Sequence, residues 1–167
     1  MKTLYVLRHA KSSWDNAELA DFDRPLNDRG ESTAPFMGEF MAANGFEPEV
    51  IVSSPAVRAR RTAQLAKEGA NMPAEIIYDD RIYEASPRTL QTVAASIDDR
   101  FDSAMLVGHN PGMEGFVRLL TGRSEEMPTA ALAVIDLDIE RWADIDTGLG
   151  VLRRLIRPKD EMKTLKK

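Results

Sequence analysis

Stretches rich in Val, Ile and Leu alternate along this chain with stretches of helical period, and this βαβα rhythm restricts the fold more than any other feature. It is the pattern of an α/β layer protein, in which helices cover a largely parallel sheet. Strands are expected at residues 3–7, 50–52, 75–78, 104–107, 131–137 and 150–156. After the first of them, Phe36, Met37, Phe40 and Met41 recur at helical spacing and Asn44–Gly45 follows, predicting an amphipathic helix with a left-handed stop. With 167 residues, 43% of them hydrophobic, the chain can bury one good core. A single domain over residues 1–158 is therefore expected, followed by a charged, solvated tail at 159–167. The expected architecture is three-layer α/β/α around a mostly parallel central sheet.

Three further helices should begin with a capping side chain followed by proline, at Ser54–Pro55, Ser86–Pro87 and Asn110–Pro111. Each start lies just beyond a strand or a short connection from one. Open α/β sheets bind ligands outside the carboxyl ends of their strands, so these junctions are where chemistry should be sought.

Several classes of function are set aside by composition. The chain has no cysteine, which removes disulfides, thiolate zinc sites and a cysteine nucleophile. The apolar run at 3–7 is too short for a signal sequence and no other run reaches membrane-span length, so a cytoplasmic protein without a membrane partner is expected. A net charge of -5 opposes nucleic-acid binding, and any anion must be met by a local cluster of cations. Asp136, Asp138 and Glu140 alternate with Ile135, Leu137 and Ile139, the pattern of a half-exposed strand rather than of a metal site. Neither a metal nor another cofactor is expected.

The chain contains two histidines, and each directly follows a predicted strand. His9 comes after Leu4-Tyr5-Val6-Leu7-Arg8, and His109 after Met105-Leu106-Val107-Gly108. Arg58 falls in the first turn of the helix that follows residues 50–52, where its guanidinium and free backbone N–H groups can face one anion. Arg60 turns away from that direction, whereas Arg61, one turn on, could support the site. Two arginines and two histidines at one sheet edge make a pocket for a dianion, with phosphate held by Arg8, Arg58 and His109.

Binding alone gives no role to a second imidazole, but phosphoryl transfer needs a nucleophile. A neutral His9 can serve, with one ring nitrogen's proton held by a backbone carbonyl and the other nitrogen's lone pair free for in-line attack. The cations then stabilise charge on the equatorial oxygens. Glu84 is the candidate proton donor, which would require its pKa to be raised by partial burial; the alternative is a plain solvent-facing glutamate. Asp15, Asp21 and Asp23 are rival acids.

These residues resemble a known family. Leu7-Arg8-His9-Ala10 with Lys11-Ser12-Ser13-Trp14, Arg24-Pro25-Leu26-Asn27-Asp28-Arg29-Gly30, Ser53-Ser54-Pro55 with Arg58 and Thr62-Ala63, and Gly108-His109-Asn110-Pro111-Gly112 together resemble the histidine phosphatase superfamily over roughly residues 3–156. The short length and the Arg-His-Ala-Lys-Ser and His-Asn-Pro-Gly variants resemble most its SixA-type phosphohistidine phosphatases. The resemblance implies a phosphoglycerate-mutase-like fold, a nucleophile at His9, a phosphate pocket of Arg8, Arg58 and His109, and no required metal. It also implies a phosphorylated substrate, which could be a phosphohistidine-bearing protein. Larger relatives carry Gly where this chain has Ala10 and Asn near Asp15; an acid there would repel phosphate, so that contact is not carried over. Two alternatives stay open: a small-metabolite phosphatase, and a non-catalytic phosphate- or phosphoprotein-binding module.

Overall fold

A computed structural model of the protein describes residues 1–165, without the side chains of 164 and 165. In chain order its elements are β1 (Lys2–Arg8), α1 (Asp28–Ala43), β2 (Val50–Ser53), α2 (Val57–Ala70), β3 (Glu75–Tyr78), α3 (Pro87–Ala95), β4 (Ser103–Gly108), α4 (Gly112–Thr121), β5 (Leu132–Leu137), β6 (Gly150–Ile156) and α5 (Pro158–Leu165). The strands form one 6-stranded sheet in the order β3-β2-β4-β1-β5-β6. The run from β3 to β1 is parallel, while β5 and β6 are antiparallel additions. This is the expected three-layer α/β/α architecture around a mostly parallel sheet.

The near-continuous apolar runs of β1, β2 and β4 follow from burial on both faces, which a sheet achieves only with helices above and below. Successive side chains alternate between those faces. Leu4, Val6, Val50, Val52 and Leu106 pack with Leu90 and Val93 of α3 and Phe116 and Leu120 of α4. Tyr5, Leu7, Ile51, Met105 and Val107 pack with Met37 and Met41 of α1 and Ala63 and Ala66 of α2. From β1 the chain crosses over β4 to reach β2 by way of α1; from β4 it leaves by way of α4 on the opposite face and reaches β5 on the far side of β1. The β1 and β4 carboxyl ends are therefore the switch point at which such sheets form a crevice.

Helix boundaries show where local rules held. Asn27 caps α1 by accepting from the Gly30 amide, and Gly45 takes the expected left-handed conformation after its end, with φ +70°. Ser86 caps α3 through the Thr89 amide with Pro87 in first position, as expected. The other two starts lie further on than expected. α2 begins at Val57, because the Ser54 hydroxyl is used by the Ala56 amide and by His109. α4 begins at Gly112, after a cis Asn110–Pro111 bond, with the Asn110 carboxamide reaching the Glu114 amide.

The charged segment expected as a tail continues instead as α5 through residue 165, with acids Asp160 and Glu161 in its first turn and Lys163 in its last, an order that suits the helix dipole. Residues 166 and 167 lie outside the described residues. The half-exposed strand expected from Asp136, Asp138 and Glu140 is not what forms: β5 is buried apart from the half-buried Asp136, which pairs with Arg153 of β6 at 2.9 Å, and Asp138 and Glu140 lie exposed beyond its end.

α1 and α2 lie backbone to backbone. A Cβ added at Gly38 would come within 2.0 Å of the Ala66 carbonyl oxygen, and one at Gly69 within 2.2 Å of the Pro35 oxygen. Neither neighbour is a flexible side chain, so the helices must move apart to admit a methyl group. Gly38→Ala is expected to destabilise the protein by about 2 kcal/mol, the usual scale of overpacking, despite the better helix propensity of alanine. Urea denaturation checks this; an unchanged or raised midpoint would contradict the close approach.

Candidate active site

Parallel pairing sets the geometry of the sheet edge. Arg8 pairs with Gly108 in the β1–β4 ladder, and Ser53 with Val107 in the β2–β4 ladder. The next residue of each strand, His9, His109 and Ser54, therefore emerges beside the others. The two imidazoles sit with ring centroids 5.1 Å apart. His9 is held on both sides by its backbone: its amide donates to Gly108 at 3.0 Å, and its carbonyl accepts from Ala130 at 2.9 Å.

His9 is only 7% exposed, and its Nδ1 lies 2.7 Å from the Ala10 carbonyl oxygen. A carbonyl cannot donate, so Nδ1 carries the proton and Nε2 holds a free lone pair. Burial pushes its pKa down to about 3, against the upward pull of the Ala10 hydrogen bond, with His109, Arg58 and Arg8 adding to the depression. The ring is thus neutral at physiological pH. His109 is likewise depressed to about 4, chiefly by burial and then by Arg58.

The Ala10 amide donates to Thr62 Oγ1, which itself donates to the Arg58 carbonyl. One buried hydroxyl thereby ties the turn after β1 to the first turn of α2. Arg58, 6% exposed, directs both terminal nitrogens at Asp21, one to its backbone carbonyl at 2.6 Å and one to Oδ2 at 3.0 Å. Asp21 also accepts from Tyr83 Oη at 2.7 Å and from Arg24 at 2.9 Å. Tyr83 foremost, then the two arginines, hold its carboxyl down at about 2, and the same bond pushes the Tyr83 hydroxyl up to about 12. Arg24 further donates to Ser12 Oγ and the Ser13 carbonyl, with the exposed Trp14 ring stacked on its guanidinium.

Arg8 donates through Nη1 to the Met127 carbonyl at 3.0 Å, an oxygen shared with the Asn110 carboxamide. Glu114 braces this corner by accepting from Asn110 and from the Met127 amide. Among the described residues, the buried side-chain nitrogens and oxygens that lack a hydrogen-bond partner are Arg8 Nε and His109 Nδ1. Both belong to this edge. Buried polar groups are rarely left unmatched, and two at one sheet edge are most simply completed by an anionic ligand.

The cleft itself, about 450 Å³, is walled by Asp21, Arg58, Tyr83, His109 and the segments Glu84–Ser86 and Asn110–Gly112. A model of the histidine phosphatase superfamily, branch 1, matches residues 4–111, a span that carries all of these groups up to Pro111. The chain belongs to that superfamily. An uncharacterized Mycobacterium tuberculosis protein is 32% identical over 157 residues, which cover 87% of this chain and 96% of that one. The structure of a candidate phosphohistidine phosphatase, SixA, from Agrobacterium tumefaciens is 32% identical and superposes with a TM-score of 0.81 over 94% of this chain and 98% of that one. A protein histidine phosphatase SixA complexed with tungstate shares the fold at the same TM-score with 20% identity, covering 95% and 99%.

Of the site residues expected for this histidine phosphatase family member, Arg8, His9, Arg58 and His109 converge. Glu84 lines the cleft, but it is exposed rather than partly buried, and it stands in the left-handed region with φ +56°. Of the rival acids, Asp21 reaches the site while Asp15 and Asp23 stay exposed outside its hydrogen-bond network. Arg61 pairs with Glu31 across α1 and α2 instead of supporting the pocket. Sequence reasoning gave no place in the site to Tyr83, Arg24 or Thr62 and read Ser54 only as a helix cap. Arg24, Ser54 and Thr62 lie inside motifs already singled out, yet the bonds of Thr62, Ser54 and Tyr83 cross 52 to 62 residues of chain, which no local pattern reveals.

Both folded-state histidine values lie below the ordinary 6.5, so the unfolded chain binds more protons between that value and about 4 or 3. The stability contributed by the neutral rings is full above pH 6.5 and is lost as pH falls from there. NMR titration should show neither imidazole protonating between pH 8 and 5, with the urea midpoint falling over pH 6.5 to 4. A ring titrating near 6.5 would overturn this.

Proposed function

We propose that the protein is a phosphatase that works through a phosphohistidine intermediate on His9, with protein-borne phosphohistidine as its substrate. The observation that carries the reading is the His9 Nδ1 contact with the Ala10 carbonyl, which leaves Nε2 unprotonated and nucleophilic beside Arg8, Arg58 and His109. A binding module would have no use for a lone pair aimed among arginines.

In the first step Nε2 of His9 attacks phosphorus as the bond to the leaving oxygen or nitrogen breaks. The imidazole becomes cationic as the P–N bond forms, and the Ala10 carbonyl stabilises its Nδ1–H. Arg8, Arg58 and His109 donate to the equatorial oxygens. Arg58 meets the phosphoryl group through exchange with Asp21, whose carboxylate holds both of its terminal nitrogens. Glu84, exposed on the cleft wall without the partial burial first expected of it, is the acid assigned to the leaving group's proton. In the second step water attacks phospho-His9, Glu84 takes its proton, and phosphate leaves with the lone pair returned to Nε2.

Two considerations favour protein phosphohistidine over a small metabolite. The Agrobacterium relative that is 32% identical over nearly its whole length is named for that activity. Glu84 and Ser86 on the cleft wall are exposed, so a substrate side chain can enter while its carrier stays outside.

The test is phosphate release from a phosphohistidine-bearing phosphotransfer domain and from p-nitrophenyl phosphate, with chelator present. Substitution His9→Ala should abolish turnover on both, and Arg58→Ala should lower it on the order of a hundredfold or more. Faster turnover of a phosphosugar than of the phosphoprotein would move the assignment to a metabolite phosphatase, and binding without turnover to a binding module.

The proton-donor role separates by leaving group. In the first step alone, read as single-turnover phosphorylation of His9, Glu84→Gln should barely change the rate with p-nitrophenyl phosphate, whose leaving group needs no proton, and should slow an alkyl phosphate by about a hundredfold. Equal effects on that step would remove Glu84 as the proton donor.

A further inference from the structure

Ser54 is fully buried, and its hydroxyl oxygen lies 2.8 Å from Nε2 of His109. The Ala56 amide donates to the same oxygen at 3.2 Å. A serine hydroxyl has one hydrogen to give, and a neutral imidazole has one donor and one acceptor nitrogen. The two His109 tautomers therefore have different consequences at Ser54.

With the proton on Nε2, Ser54 Oγ would accept from both His109 and Ala56, and its own hydrogen would have no acceptor among the described residues. With the proton on Nδ1, the hydroxyl donates to Nε2 and every polar group of Ser54 is satisfied. The first arrangement leaves two buried groups unmatched, the Ser54 hydrogen and the Nδ1 lone pair, and the second leaves one, so the second prevails. It leaves Nδ1–H as the donor without a partner, and Nδ1 of His109 is one of the two unmatched buried side-chain atoms described above.

We propose that Ser54 is a positioning residue that fixes His109 in its Nδ1-protonated tautomer, so that a neutral imidazole presents a donor to the phosphoryl oxygen. The role in phosphate binding rests on the proposed phosphatase reading; the tautomer does not. In the opposite tautomer His109 would turn a lone pair toward the anion and repel it. The groups facing the ring explain why tautomer matters more than charge here. Arg58 and Arg8 disfavour an imidazolium, Asp21 favours one with an effect between theirs, and Tyr83 and His9 offer ring contacts. With His109 held to about 4 by burial and these arginines, protonation does not supply the donor at neutral pH. Ser54 does.

The chain's two histidines make the test simple. Long-range imidazole 15N–1H spectra of the wild type at pH 7, assigned by the signals lost in His9→Ala, should show His109 with a protonated Nδ1 and a pyridine-like Nε2. A protonated Nε2 on His109 overturns the proposal, and this result needs no variant at Ser54. In Ser54→Ala the Nδ1-protonated form should lose its dominance and the inhibition constant for inorganic phosphate should rise about tenfold, the scale of one charge-assisted hydrogen bond. Ser54→Thr, which keeps the hydroxyl, should restore both. Retention of the Nδ1 proton in Ser54→Ala overturns the role of Ser54. An active enzyme with the opposite tautomer refutes this inference alone, whereas an inactive protein with the expected tautomer refutes the phosphatase reading alone.

Discussion

The parallel ladder between β1 and β4 decides where both histidines go, because each is the residue that follows the last rung. Arg8 opposite Gly108 puts His9 and His109 at the same height. A slip of one residue would turn every β1 side chain to the wrong face, and a slip of two would separate the rings by about another 6–7 Å. Hydrophobic packing prevents the first: Leu4 and Val6 belong to one core and Tyr5 and Leu7 to the other. Backbone bonds fix the last step, with His9 bonded to Gly108 on one side and to Ala130 on the other. The chemistry thus stands on the sheet rather than on a loop.

Upon that frame the site resolves an electrostatic conflict. Arginines gathered to hold an anion would repel one another and any charged imidazole between them. Burial keeps both rings neutral, and Asp21 compensates Arg58 and Arg24 at once. Thr62 then makes the position of Arg58 depend on the turn that bears His9, and the glycine-to-carbonyl contacts of α1 with α2 hold that helix in place. His9, Arg58 and their scaffold are consequently set by one another.

Much of this was legible in the chain because it rests on short-range pattern. Periodicity located all six strands, and a strand followed at once by histidine marked His9 and His109. The resemblance to the superfamily led to the same residues. What was not legible depended on register and on competition for a single hydroxyl. The Ser54–Pro55 pair reads as a helix cap, but the Ser54 oxygen is engaged by an imidazole 55 residues away, and the helix starts later. Asp21 could not be preferred over Asp15 and Asp23, since three acids within nine residues look alike until Arg58 and Tyr83 are brought to one of them. The left-handed backbone at Glu84, which sets how that residue meets the cleft, has no signature in a residue other than glycine or asparagine.

On the proposed phosphatase reading, Asp21 gives the resting pocket a selectivity that its cations alone would lack. Cells are rich in carboxylates, and an uncommitted pair of arginines would collect them indiscriminately. Here the arginine already has a carboxylate partner within its own chain, joined without the entropy loss of association. A carboxylate from solution can at best repeat that contact and so gains nothing by entering. A phosphoryl dianion, with more charge and three terminal oxygens to share, can engage Arg8, Arg58 and His109 together. On that reading the resident anion is a threshold, which a ligand passes by outcompeting it and which its own chemical kind does not pass.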